Sequence, residues 1–176
     1  ATHGPLRFGS DTARWFRQRQ MLPFLDSRLK DDGPVSTLAR VQAFETGANR
    51  WLEFPTWPPE CKHPERLYLQ PGFQLSFDVP TNASEVACDE FVSDPAKPVT
   101  YQPRPIRPKD APGYAWERWL VDDQRFASDR PDVLTYESEC HDQPLHLAGQ
   151  PVMHLYASTS GSDCDWIVKL IDVQPD

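Results

Sequence analysis

Cys140 and His141 stand side by side, the residue types of a thiolate nucleophile and its base. Neighbouring side chains in a strand or turn point apart, whereas Cys–His catalysis needs partners that meet in space, so adjacency argues against the pair. Residues 158–165, STSGSDCD, gather hydroxyls and two carboxylates around Gly161. A nucleophilic serine and a cation site on Asp163 and Asp165 are the chemistries to weigh. A hydrolase elbow needs glycine on both sides of the serine at two-residue spacing, which Ser160-Gly161-Ser162-Asp163 lacks. A calcium loop needs more carboxylates at alternate positions and a closing Glu. The reading that remains is a structural loop, shaped by hydroxyl-to-backbone bonds and a glycine free to take positive φ.

Asp122, Asp123, Arg125, Asp129, Arg130 and Asp132 alternate in sign around Phe126. They make either an acidic site for a cationic substrate or a loop pinned by Arg–carboxylate bonds. Each acid has an Arg close by, which favours the pinned loop. Tyr114, Trp116 and Trp119 lie beside Arg118 and belong to a packed cluster or a ligand pocket; residue type favours packing. His3, His63, His146 and His154 show no metal-ligand spacing, and Cys61, Cys88, Cys140 and Cys164 form no C-x-x-C pair. No metal or cofactor is expected. The four thiols allow two disulfides in three pairings, or stay free.

The elements that must carry these residues are mostly short. Residues 152–157 and 166–173 are apolar runs flanking the serine loop, a strand, loop and strand pattern. The second run is interrupted only by Lys169 and Asp172, as in a strand covered on both faces. Ser10 or Asp11 can cap a helix reaching about Lys30, with Trp15, Leu22, Leu25 and Leu29 as its buried stripe; Pro23 should kink or split it. Residues 30–34, KDDGP, mark a boundary. Residues 41–46 form a strand, and residues 67–70 and 75–77 a hairpin about Pro71-Gly72. Asn82-Ala83-Ser84, a glycosylation pattern by letter, reads as a loop. Residues 94–112 are too proline-rich for a central strand, while residues 133–137 and 145–147 are further strands.

The chain has 176 residues, 39% of them hydrophobic and 11% aromatic, enough for a core in one domain. Nineteen Pro against 8 Gly indicate short elements and rigid turns, an all-β profile. A net charge of −8 argues against nucleic-acid or anionic-membrane partners, which want excess Lys and Arg. No apolar run approaches the length of a membrane span, and residues 1–30 lack signal-peptide order. The chain opens on Ala, which we read as a piece of a longer polypeptide.

Five ordered stretches carry a resemblance: Tyr68-Leu69-Gln70-Pro71-Gly72, residues 92–99 (VSDPAKPV), Asp123-Gln124-Arg125-Phe126, residues 130–136 (RPDVLTY) and residues 158–173. Together they resemble the C-terminal jelly-roll domain of the X-Pro dipeptidyl-peptidase and cocaine esterase superfamily, closest to the α-amino acid ester hydrolases and glutaryl-7-aminocephalosporanic acid acylases. The resemblance implies a mainly β, galactose-binding-like jelly-roll sandwich over residues 34–176, incomplete at its C-terminal end. Residues 1–33 would be the last helix of an α/β-hydrolase domain. It implies a parent serine hydrolase acting on α-amino acid esters or amides through an acyl-enzyme, with its triad upstream of this segment. His3 lacks the family's Gly-Pro-Trp-x-His context and is not carried over as catalytic. What carries over is a pocket wall after the DPAKPV motif, with Tyr114, Trp116 and Trp119 as its residues. The expected partners are the catalytic domain of the same polypeptide and, through it, a small acyl ester or amide. The family's closing strands are absent, so truncation, proteolysis or strands from another chain, as in a homo-oligomer, are expected. The rival from another class is a stand-alone carbohydrate-binding or protein-interaction sandwich, for which exposed Trp faces would speak.

Overall fold

The computed structural model describes residues 2–60, 64–81, 88–101, 105, 107 and 120–174. Tyr114, Trp116, Trp119, Asn82-Ala83-Ser84, Cys61 and His63 lie outside the described residues. The chain is mainly β: among the described residues, seven short strands form one three-stranded and two two-stranded sheets.

The N-terminal helix begins at the expected cap. The Asp11 carboxylate accepts the Arg14 backbone N–H at 3.1 Å, satisfying one of the orphan donors of the first turn. α1 (Thr12–Phe16) then opens into a π-helical turn, Arg17–Met21, before α2 (Leu22–Leu29). Pro23 explains the widening. In an unbroken α-helix it would offer no N–H to Arg19 and its ring would strike that carbonyl. Instead the Leu22 N–H donates to the Arg17 carbonyl, and Pro23 falls in the first turn of α2, where no donor is needed. The helix ends in the KDDG turn, closed by a Gly33 N–H bond to the Lys30 carbonyl at 3.1 Å. A Cβ at Gly33 would run into the Asp26 carbonyl.

β1 (Thr2–His3) pairs antiparallel with β2 (Leu6–Arg7). β3 (Val41–Glu45) and β4 (Arg50–Phe54) form an antiparallel hairpin running from Val41↔Phe54 to Glu45↔Arg50. β5 (Tyr68–Gln70) and β6 (Gln74–Ser76) form the hairpin expected around Pro71-Gly72; Gly72 takes φ +77 and Phe73 φ +60 to close it. β7 (Glu137–Ser138) adds parallel to β6. A short α3 (Arg125–Ser128) sits inside the charged segment read as a loop.

Ala127 in α3 is the one buried apolar residue among those described, 8% exposed. The flanking residues 130 and 132–136 are half-buried. The chain exposes 15706 Å², against about 8,800 Å² for a compact monomer of its mass. Much apolar surface therefore stays uncovered.

Three expectations are corrected by this. Residues 152–157 and 166–173 form no ladder, and Tyr156, Ile167, Val168, Leu170 and Val173 are exposed. A strand covered on both faces needs a layer packed on each face, and among the described residues no ladder joins this ribbon to a sheet. Residues 145–147 likewise join no strand ladder, and of residues 133–137 only Glu137 enters a strand. In the helix stripe, Leu22, Leu25 and Leu29 face outward at 50%, 37% and 75% exposure; only Trp15 finds a packing surface.

Candidate functional site

The segment expected to wall a pocket is Thr100–Trp119, and the stems at its two ends are described even though Tyr114, Trp116 and Trp119 are not. The upstream stem starts from a turn in which the Asp94 carboxylate accepts the Ala96 N–H at 2.9 Å, an Asx turn that sets the chain's direction. Arg130 reaches this turn across 33 residues, donating from Nη2 to the Lys97 carbonyl at 2.6 Å. The same guanidinium grips Asp132 bidentately, Nε to Oδ1 at 2.7 Å and Nη2 to Oδ2 at 2.6 Å. The planar fork matches a carboxylate and still has donors to spare. The Arg130 guanidinium holds the Asp132 carboxyl below the usual carboxylate range, and Asp132 in return raises Arg130.

The downstream stem is tied in the same way. The Asp123 carboxylate accepts the Arg125 backbone N–H at 2.9 Å and its Nε at 2.7 Å; Arg125 lowers the Asp123 pKa. The pinned-loop reading of this charged segment therefore holds, with α3 wound between the two Arg–Asp pairs. Gln124 donates from Nε2 to the Asp122 carbonyl at 2.8 Å. Its other end, Oε1, accepts Lys169 Nζ at 2.8 Å. Lys169 Nζ also lies 5.9 Å from the Tyr101 ring centroid and 6.0 Å from that of Phe126, the outer range of cation–π attraction. One ammonium thus meets both stems.

Tyr136 donates to Asp89 at 2.5 Å and packs its ring 5.6 Å from Phe73. Burial, and then the Asp89 hydrogen bond and charge, push the Tyr136 phenol up to about 12.

A second feature is an apolar groove of about 370 Å³ between the N-terminal helix and the β3–β4 hairpin, lined by Phe8, Thr12, Ala13, Phe16, Phe44, Thr46 and Trp51. Trp15 stacks on Trp51 at 4.4 Å and 16°, and Phe44 meets Phe8 and Trp51 edge-on at 5.5 and 5.3 Å. These aromatics dock the helix on the hairpin, and their geometry is the favoured one.

The residues with nominal chemistry do not assemble. His141 turns to Ser138, Nε2 to Oγ at 3.5 Å, too long for an activated hydroxyl. Cys140, like Cys88 and Cys164, is a free, exposed thiol. His146 pairs with Glu45 at 2.7 Å, but Glu45 is already held by Arg50 Nε at 2.6 Å; Arg50 first and His146 second lower its pKa. In the serine loop Thr159 accepts the Gly161 N–H at 3.1 Å, a local turn bond. Among the described residues no cluster of His, Cys, Asp and Glu is placed to hold a metal.

Residues 34–176 match the X-Pro dipeptidyl-peptidase C-terminal non-catalytic domain. The chain belongs to that family. This X-Pro dipeptidyl-peptidase C-terminal domain is similar in structure to an α-amino acid ester hydrolase, with TM-score 0.70 and 42% identity over 84% of this chain and 24% of that one. It is similar also to an aminopeptidase from a marine-sediment Thaumarchaeota archaeon, with TM-score 0.66 and 49% identity over 77% of this chain and 21% of that one. The cocaine esterase of Rhodococcus sp. is 27% identical over 166 residues, 87% of this chain and 27% of its own length. The domain thus spans about a quarter of the relatives it matches. Neither Lys169 nor the Phe8, Phe44 and Trp51 groove was a candidate on sequence grounds. The visible hint for Lys169 is a cation in an otherwise apolar run; for the aromatics, nothing in the spacing pairs residues so far apart.

Proposed function

We propose that this X-Pro dipeptidyl-peptidase C-terminal domain is the non-catalytic jelly-roll part of a serine ester or amide hydrolase acting on α-amino acyl groups through an acyl-enzyme. Residues 34–176 brace the catalytic domain of the same polypeptide, of which residues 1–33 are the last helix, and the segment Thr100–Trp119 lines one side of the substrate pocket. The likeness to the α-amino acid ester hydrolase, 42% identical over 84% of this chain, carries the reading. The aromatic groove and the outward Leu22, Leu25 and Leu29 support it, since surface of this kind is energetically costly unless covered.

The experiment compares the full polypeptide with the 176-residue chain, using an activated ester and a serine-directed fluorophosphonate. The full polypeptide is expected to be labelled stoichiometrically and to turn over; the 176-residue chain is expected to do neither. Labelling of the shorter chain, or none of the longer one, overturns the proposal.

A further inference from the structure

We propose that His146 is a proton-dependent latch: charged, it ties the strap of residues 145–149 to the β3–β4 hairpin through Glu45, and it releases the strap as the imidazole loses its proton. His146 Nδ1 lies 2.7 Å from Glu45 Oε1, on a carboxylate side chain only 17% exposed. The strap has little else to hold it. Residues 145–149 join no strand, and among the described contacts none of them enters a backbone hydrogen bond. Leu145 and Leu147 are 50% and 72% exposed. The strap's second approach is Gly149, at φ +132, where a Cβ would stand 3.8 Å from Pro58 Cβ in the segment after β4. That approach is van der Waals contact and carries no charge.

Among the described contacts, the charged groups facing His146 are Glu45 from β3 and Arg50 from β4, whose Nε donates to Glu45 Oε2 at 2.6 Å. On its own segment the nearest titratable side chains are Asp142 and His141, and His141 is engaged with Ser138 and the Phe77 ring. The two cations on Glu45 respond differently to pH. A guanidinium stays charged throughout, whereas histidine changes charge between about pH 5 and 8. Arg50 first and His146 second keep the Glu45 carboxyl below its ordinary range, so the acceptor is anionic across that window. The His146 contribution is therefore full at the acidic end and fades as pH rises. Arg50 keeps the hairpin turn closed at both ends, so the strap is released while β3 and β4 stay paired. The latch stands independently of the hydrolase reading above.

Chymotrypsin cleavage after Leu145 and Leu147 in the full polypeptide reads the open strap, because cutting tracks the open population when reclosing is fast. Rates are taken relative to a free peptide of residues 141–151, which removes the protease's own pH dependence. From pH 6 to pH 8 the relative rate is expected to rise about threefold, the size an exposed ion pair allows. His146→Gln should be fast and flat with pH, and His146→Lys, with a cation that persists, slow and flat. Glu45→Gln should match His146→Gln. A merely structural histidine would change the rate equally at both pH values. A flat wild-type ratio, or a pH rise that survives in His146→Gln, overturns the proposal.

Discussion

Trp15 stacks on Trp51 with ring centroids 4.4 Å apart and planes 16° from parallel, joining the N-terminal helix to the β3–β4 hairpin across the boundary expected at residues 30–34. Aromatic pairs in such a geometry contribute about 0.5–1.5 kcal/mol beyond their area. A double-mutant cycle of Trp15→Ala and Trp51→Ala, followed by urea unfolding of the full polypeptide, should give a coupling of about 1 kcal/mol. Additive losses would mean that helix and hairpin are held by other contacts.

Arg130 should matter more than Arg125. The Arg130–Asp132 pair is nearly closed to solvent, with side chains 20% and 9% exposed, while Arg125–Asp123 stands open at 68% and 55%. Arg130→Ala also frees the Lys97 carbonyl. Its urea midpoint is expected to fall well below that of Arg125→Ala, and Arg130→Lys should not rescue it, because a point charge cannot reproduce the fork. Equal midpoints for the two alanine variants would contradict this.

Asp132, Asp123 and Glu45 all have carboxyl pKa values lowered by neighbouring cations. A depressed folded value stabilises the fold above the unfolded value, near pH 4, and that contribution disappears as pH falls through the folded value. Unfolding free energy should therefore decline on acidification below about pH 4, and Asp132→Asn should flatten that decline. The observable is the urea midpoint against pH.

Tyr136 carries the opposite sign. Its phenol moves from 10.0 up to about 12, so the contribution is full below pH 10 and is lost as pH rises toward 12. Tyrosinate absorbance should show one phenol titrating late, and Tyr136→Phe should remove that component. Asp89→Asn should move that late step earlier without abolishing it, because burial is the first cause of the shift and the Asp89 carboxylate the second.

Gly72 turns the β5–β6 hairpin at φ +77, and a Cβ there meets nothing within 4 Å. Gly72→Ala thus tests backbone strain without a clash, and should cost about 1–2 kcal/mol. Thermal unfolding checks it.

Much of the local structure was legible in the residues. Asp11 announces its helix because a carboxylate at that place can satisfy free amides, Pro23 a break in that helix because it has no N–H, and Pro71-Gly72 its hairpin. All are determined within a few positions of chain. The two Arg–Asp clamps around α3 were legible for the same reason, partners lying two residues apart. The ordered motifs carried the family, and the mainly β class followed from the proline and aromatic content.

The sequence by itself determined caps, turns and family. It did not determine which apolar face is covered. The run at residues 166–173 has strand composition yet faces outward, because burial depends on which other surfaces reach it. Only tertiary structure brought Lys169 to Tyr101, Gln124 and Phe126, and His146 to Glu45 across 101 residues. Contacts at that separation are set by the path of the backbone between them, and no local spacing encodes it.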